Sequence, residues 1–180
     1  MTESDMTFVQ RSKKDVWQTP DDIWGPIDER DTIDLDPCAG EDTTIGETNY
    51  TVEDDGLSSE WFGTVWMNPP FSQKERWFER LREQRHNIER AYVVTPDSTD
   101  VKSWWHGQVV ELARYTWFPE GRIRYVDPDT GEKANSPSFG SAVSVVKGGQ
   151  TNVTLPSSVA DWMRQNGDLV RRVYPNKRLF

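Results

Sequence analysis

One stretch constrains this fold more than any other: Thr64-Val65-Trp66-Met67-Asn68-Pro69-Pro70-Phe71. An uncharged run of this kind reads as a buried β-strand. Two consecutive prolines cannot extend it, because neither has an N–H for a neighbouring strand and each holds the residue before it extended. The strand must therefore end in a rigid corner. Beyond the corner, Ser72 can cap a helix over residues 72–87 whose Trp77, Phe78 and Leu81 form an apolar stripe. Residues 90–97 read as a second buried strand and 113–118 as a third. Between them a helix turns Val101, Trp104, Trp105, Val109 and Leu112 inward.

Strand, helix, strand, helix, strand in that order predicts right-handed crossovers and a largely parallel sheet, hence an α/β fold. Upstream, Ile33 and Leu35 alternate with Asp34 and Asp36 until Pro37 ends a further strand. A short helix is expected before it, with Thr19 as cap, Pro20 at the first position, and Asp21 and Asp22 in the first turn. Residues 41–62 leave room for at most one short strand, near Tyr50. Residues 121–126 and 139–146 read as two more strands around the polar loop 127–138, pairing as an antiparallel edge. The tail reads as a helix that packs Val159, Trp162, Met163 and Val170 against the body. The expected organisation is a flexible arm over 1–14, one domain over 15–148, and a packed helical extension over 149–180.

The chain has 180 residues, enough for one domain. A single cysteine excludes an intramolecular disulfide, and with only two histidines no metal site is expected. No apolar run approaches the roughly 18 residues that span a bilayer, and residues 1–10 have neither a basic start nor an apolar stretch. A reduced, cytoplasmic protein with no membrane partner is the expectation. The formal charge of -9 argues against a simple polyanion binder, since phosphate repels a negative body at low ionic strength. Its acids are rich in Asp and its bases in Arg, a surface that stays hydrated in concentrated salt and fits a halophilic source. Nine tryptophans supply core area that so polar a sequence otherwise lacks.

In open parallel sheets, ligands bind outside the carboxyl ends of the strands. Two such ends carry unusual residues. In Asp34-Leu35-Asp36-Pro37-Cys38-Ala39-Gly40, an acid on a buried strand is costly unless it meets a cation, a backbone donor or a ligand. A solvent-exposed turn with a capping Asp fits the same residues and is the reading this segment favours by itself. At Asn68-Pro69-Pro70-Phe71, the corner freezes the Asn68 amide oxygen and the Pro69 carbonyl as two acceptors beside the flat ring of Phe71. A planar exocyclic amine, with two N–H donors and a π system, matches that arrangement; a proline-rich turn with a core Phe is the bland alternative.

With the segments before it, the corner resembles motif IV of the S-adenosylmethionine-dependent amino-methyltransferases, and Asp36-Pro37-Cys38-Ala39-Gly40 resembles their motif I, with Glu41 and Asp42 where many relatives place a small residue and a second Gly. More narrowly, the order WQTP, DLDPCAG, EDDGL, MNPPF, YVVTP, NSPSFGSAVSVV is similar to the phage-type Dam family of DNA N6-adenine methyltransferases, from about Trp17 to Val146. The resemblance implies a Rossmann-like methyltransferase with S-adenosylmethionine as cofactor and double-stranded DNA as partner. Gln18, Thr19 and Pro20 would line the methionine end of the cofactor. Asp36, Cys38, Ala39 and Gly40 would form the turn beside its amino acid moiety, and Asp54 or Asp55 would contact its adenine or ribose. Asn68 and Pro69 would accept the hydrogens of the adenine amine, Pro70 would complete the corner, and Phe71 would stack on a base flipped out of the duplex.

Arg76, Arg80, Arg82 and Arg85 alternate with Glu75, Glu79 and Glu83, the pattern of a salt-bridged solvated face. The loop 127–138, with Lys133, Asn135 and Ser136, is a better candidate for base contacts, although an ordinary hairpin loop fits it equally well. Related enzymes use the same corner on an RNA adenine or a protein glutamine, and a non-catalytic acidic DNA mimic or interaction module fits the composition. A cognate restriction endonuclease stays open as a further partner.

Overall fold

The computed structural model describes residues 17–133 and 139–172. Seven strands form one sheet in the order β2-β1-β3-β4-β6-β5-β7. They are β1 Leu35–Asp36, β2 Thr48–Asn49, β3 Gly63–Met67, β4 Ile88–Pro96, β5 Ala113–Pro119, β6 Ser141–Lys147 and β7 Gly167–Arg171. β1 runs parallel to β2 and β3, and β3 to β4. β6 is antiparallel to both β4 and β5, so β5 keeps the direction of the first four, and β7 is antiparallel to β5. This is the expected α/β, mostly parallel, Rossmann-like sheet.

Period-two alternation builds a core on each face. Val65, Met67, Ala91 and Val93 pack on one side, beneath α2 (Lys74–Gln84) and a π-helical segment, Lys102–Val109, that ends in the single turn α3 (Val110–Leu112). Trp66, Tyr92 and Val94 pack on the other, beneath α1 (Asp21–Asp28) and α4 (Ser157–Gln165). With helices on both faces, the central strands are apolar throughout. Trp61, Trp66, Trp77, Trp104, Trp105 and Trp117 are buried, as the aromatic content predicts. No helix among the described residues is long and apolar enough to cross a membrane.

Several local expectations need correction. The helix α1 begins at Asp21, with Pro20 in the extended cap position and no side-chain cap; Thr19 is turned into the protein instead. A 3₁₀ turn, Phe71–Gln73, precedes α2, so Gln73 occupies the cap position assigned to Ser72. The helix after β4 is wound as a π-helix.

The predicted antiparallel edge is not an edge. β6 is buried along nearly its whole length because it inserts between β4 and β5, while residues 121–126 form no strand and touch the backbone of Gln18 and Lys133 only through Val126. The edge is β7, a segment expected to be helical. Gly167 has φ of 155°, and a Cβ there would meet the Phe118 carbonyl, so the helix stops at Gln165 and the chain turns into the sheet. Val170 consequently stays 48% exposed rather than packing back. The proposed arm over 1–14 lies outside the described residues, and the extension over 149–180, as far as Arg172, contributes a sheet strand as well as a helix.

The strand order places the site. From β1 the chain moves outward to β2, then returns to the opposite side of β1 as β3, and a crevice opens above the carboxyl ends of β1 and β3 where the order reverses.

Candidate active site

Both unusual strand ends open into that crevice. Asp36, the last residue of β1, is 3% exposed, and its carboxylate accepts the Cys38 N–H at 3.0 Å. It is not the exposed capping Asp that the segment favoured by itself. Burial pushes its carboxyl up from 3.8 to about 7, although the hydrogen bonds from Cys38 pull it part of the way back. The Cys38 thiol is pushed up too, first by burial and then by Asp36 beside it, while the Asn68 main-chain N–H bonded to it works the other way. The turn after β1 thus touches the corner after β3.

At the corner, the Asn68 side-chain amide donates through Nδ2 to the Trp17 carbonyl at 2.6 Å. That bond joins residues 51 positions apart and commits the N–H₂ half of the amide, leaving Oδ1 as the acceptor on the other branch. Lys74 Nζ donates to the Phe71 carbonyl at 3.0 Å and lies over the Trp104 ring at 5.1 Å, fastening the 3₁₀ turn to the helical face.

Asn68, Gln18, Thr19, Asp36, Cys38 and Gly40 share a narrow inner chamber with Thr43 and Ile45. It continues into a cleft of about 730 Å³ walled by the turn after β1, the Tyr50 to Leu57 turn, the start of α2, and Pro128 and Asp129. Ala39, Gly40, Asp55 and Pro70 line this larger space. Gly40 is closely packed: a Cβ would stand 3.0 Å from Thr43 Oγ1 and 3.2 Å from Gln18 Nε2, so either side chain would have to give way.

Other expected site residues stand elsewhere. Asp54 does not line the cleft; its carboxylate accepts the N–H and hydroxyl of Thr51, both at 2.9 Å, and those bonds hold it below the usual range. Pro20 and Pro69 are buried, and their side chains are not part of the cleft lining. Phe71 is not part of the cleft lining either; its ring sits edge-on to Tyr125 and Phe139 at 6.4 and 5.7 Å. Tyr125 and Phe139 are the aromatic neighbours that sequence reasoning missed, since only the tertiary fold brings them to the corner. It also missed Pro128 and Asp129, which the fold sets over the cleft. Lys133 is paired with Asp22 at 3.1 Å, while Asn135 and Ser136 lie outside the described residues. Of the helical arginines, Arg80 pairs with Glu83, as the interleaved charges predict, whereas Arg82 pairs with Glu111 of α3 and Arg76 lines the cleft.

Two observations test whether these residues suit a cofactor. Among the described residues, the Thr19 hydroxyl is buried in the chamber wall with no hydrogen-bond partner, and Asp36 is a buried carboxyl with no ion pair. A ligand with an ammonium group and further polar groups answers both.

The profile of the DNA N-6-adenine-methyltransferase (Dam) family matches residues 6–168. The chain is 28% identical over 130 residues to a DNA N-6-adenine-methyltransferase of Haemophilus phage HP1 (strain HP1c1), covering 71% of this chain and 75% of that protein. It is 24% identical over 153 residues to one of Escherichia phage T1, covering 74% of this chain and 63% of the relative. Among solved structures, the 23S rRNA methyltransferase ErmE superposes with a TM-score of 0.38 at 16% identity, over 64% of this chain and 49% of that one, a likeness too slight to bear on function. With the family profile spanning nearly the whole chain, and the corner and its facing turn in place, the chain belongs to the DNA N-6-adenine-methyltransferase (Dam) family, whose reaction is methylation of adenine N6 in DNA.

Proposed function

We propose that this protein methylates adenine in double-stranded DNA, in the cytoplasm, with S-adenosylmethionine as methyl donor, and that the Asn68-Pro69 corner is the acceptor of the target amine. The observation that carries the reading is the bond from Asn68 Nδ2 to the Trp17 carbonyl, which leaves Oδ1 as the free acceptor beside the chamber. When bound, the cofactor supplies an electrophilic methyl on a sulfonium. Asp36, Gln18, Thr19, Cys38, Ala39 and Gly40 would hold its amino acid end. Asp55, rather than Asp54, would meet its nucleoside end, because Asp55 lines the cleft.

The adenine amine is a poor nucleophile, its lone pair being delocalised into the ring. Asn68 Oδ1 and the Pro69 carbonyl accept its two hydrogens, which favours a more tetrahedral nitrogen whose lone pair points along the line of attack. Positioning and fixed dipoles of this kind supply a large share of the rate. The base must leave the helix to reach the corner, and Phe71, braced by Tyr125 and Phe139, stacks on it.

The test is sequencing for N6-methyladenine after expression in a host free of DNA methylation. Methylated adenine with the wild type and none with Asn68→Ala supports the reading. Label from marked cofactor appearing instead in RNA or in protein glutamine, with unmodified DNA, would refute it in favour of another acceptor. No cofactor binding by the folded protein would favour the acidic DNA mimic.

A further inference from the structure

The charges around the cleft are lopsided. Glu41, Asp42, Asp55 and Asp129 line it against the single guanidinium of Arg76. Among the described residues, none of these five side chains is in an ion pair. Three of the carboxylates come from the two turns that cradle the cofactor end of the crevice, and Asp129 reaches it from the 127–131 turn, closed by the Gly131 N–H on the Asp127 carbonyl at 2.8 Å. All four carboxylates are exposed, and they converge from three separate loops on one cavity. An independent sign of a ligand is the Thr19 hydroxyl, 4% exposed and without a partner among the described residues, in the wall of the chamber that opens into the same space.

We infer that this acidic rim selects the charged cofactor over its spent form, so that S-adenosylhomocysteine is released in favour of S-adenosylmethionine. The inference rests on the cofactor reading above. Before reaction the cofactor carries a sulfonium, an ammonium and a carboxylate, a net charge of +1. After the methyl has gone to the amine nitrogen, the sulfur is a neutral thioether and the net charge is zero; the proton lost by the amine goes to solvent. The two molecules are otherwise nearly the same shape, so contacts distinguish them poorly. A surplus of negative charge distinguishes them directly. A unit charge about 10 Å from a cation in water weights its binding roughly two-fold at low ionic strength, and several such charges compound. The effect is screened as the Debye length falls toward about 3 Å at 1 M salt.

Calorimetry with both ligands tests this, read as the ratio of the S-adenosylhomocysteine Kd to the S-adenosylmethionine Kd. The wild type should lose part of its preference for S-adenosylmethionine between low and high salt. At low salt the paired substitution Glu41→Gln with Asp42→Asn should lower the ratio about three-fold and Asp129→Asn about two-fold, whereas Arg76→Gln should raise it about two-fold. S-adenosylhomocysteine affinity should stay within about two-fold in every variant, which separates lost charge from damaged shape. A ratio unmoved by neutralisation or salt while both ligands still bind would overturn the inference alone, as would equal loss of both ligands in the variants. Failure of the folded wild type to bind either ligand would overturn the cofactor reading with it.

Discussion

The two ends of the same parallel strands treat buried polar groups in opposite ways. At the amino end, Asp31 is met by Arg90 Nη1 at 2.6 Å and by the Tyr92 hydroxyl at 2.6 Å, and Arg90 also donates to Thr64 Oγ1 at 3.2 Å. Arg90 itself is 5% exposed. At the carboxyl end, Asp36 is as deeply buried but has only the Cys38 backbone and thiol, and Thr19 Oγ1 has no partner among the described residues. One end spends most of its polar groups on itself, with Arg90 Nε left over without a partner among the described residues, and holds the sheet together. The other keeps a carboxyl and a hydroxyl available beside a chamber, an arrangement that costs stability and that a polar ligand would complete.

The contrast can be broken from either side. The largest expected effect is at the amino end: Arg90→Met leaves Asp31 buried without its cation and should cost about 3–5 kcal/mol in thermal or urea unfolding, with much of that recovered by adding Asp31→Asn. If Arg90→Met is nearly neutral, the network is not holding the sheet. At the carboxyl end, Phe71→Ala should cost about 1 kcal/mol in unfolding, through the ring contacts with Tyr125 and Phe139 that it loses, while weakening capture of the extruded base by about 1–3 kcal/mol, read as a reduced fluorescence rise from 2-aminopurine at the target position. Equal fluorescence would remove Phe71 from the base site.

Asp36→Asn should act in the opposite sense on stability. The carboxyl ionises near 3.8 in the unfolded chain and at about 7 in the fold, so between those values the folded state holds a proton that the unfolded state lacks, and stability falls as pH rises through the window. The Asn variant keeps the oxygen that accepts the Cys38 N–H but escapes this loss. Its melting temperature should match the wild type near pH 3 and exceed it above pH 7, at about 2–4 °C per kcal/mol for a chain of this length, while cofactor binding weakens. A variant less stable than the wild type at pH 8 would show that the carboxylate is satisfied in the free protein. The smallest effect is expected of Thr19→Val, which removes the orphan hydroxyl: unfolding should be unchanged or stabilised by about 1 kcal/mol while the calorimetric affinity for cofactor drops.

Much of this was legible before any coordinates. The Trp77, Phe78 and Leu81 stripe and the unbroken apolar run of β4 declare their elements, because both signals are local. The corner at Asn68 was legible because proline chemistry is local as well. The order of β6 was not: a strand apolar on both faces reads the same at an edge or in the middle, and only the sheet decides. The end of α4 could have been found, since Asn166-Gly167 is a turn signal lying inside a helical-looking segment. The site divides along the same line. Asp36, Asn68 and Gly40 sit at strand ends that the pattern exposes, whereas Tyr125, Phe139 and Asp129 arrive from residues 30 or more positions beyond α2, and nothing in their own neighbourhood announces the meeting.

The most direct test separates binding from chemistry at the corner. With the folded Asn68→Ala protein, cofactor Kd by calorimetry and single-turnover transfer of labelled methyl into duplex DNA at saturating cofactor should part company: affinity close to the wild type, and transfer lowered at least about 10²–10³-fold, because one pre-oriented acceptor is gone. Transfer at the wild-type rate with cofactor bound would contradict the account.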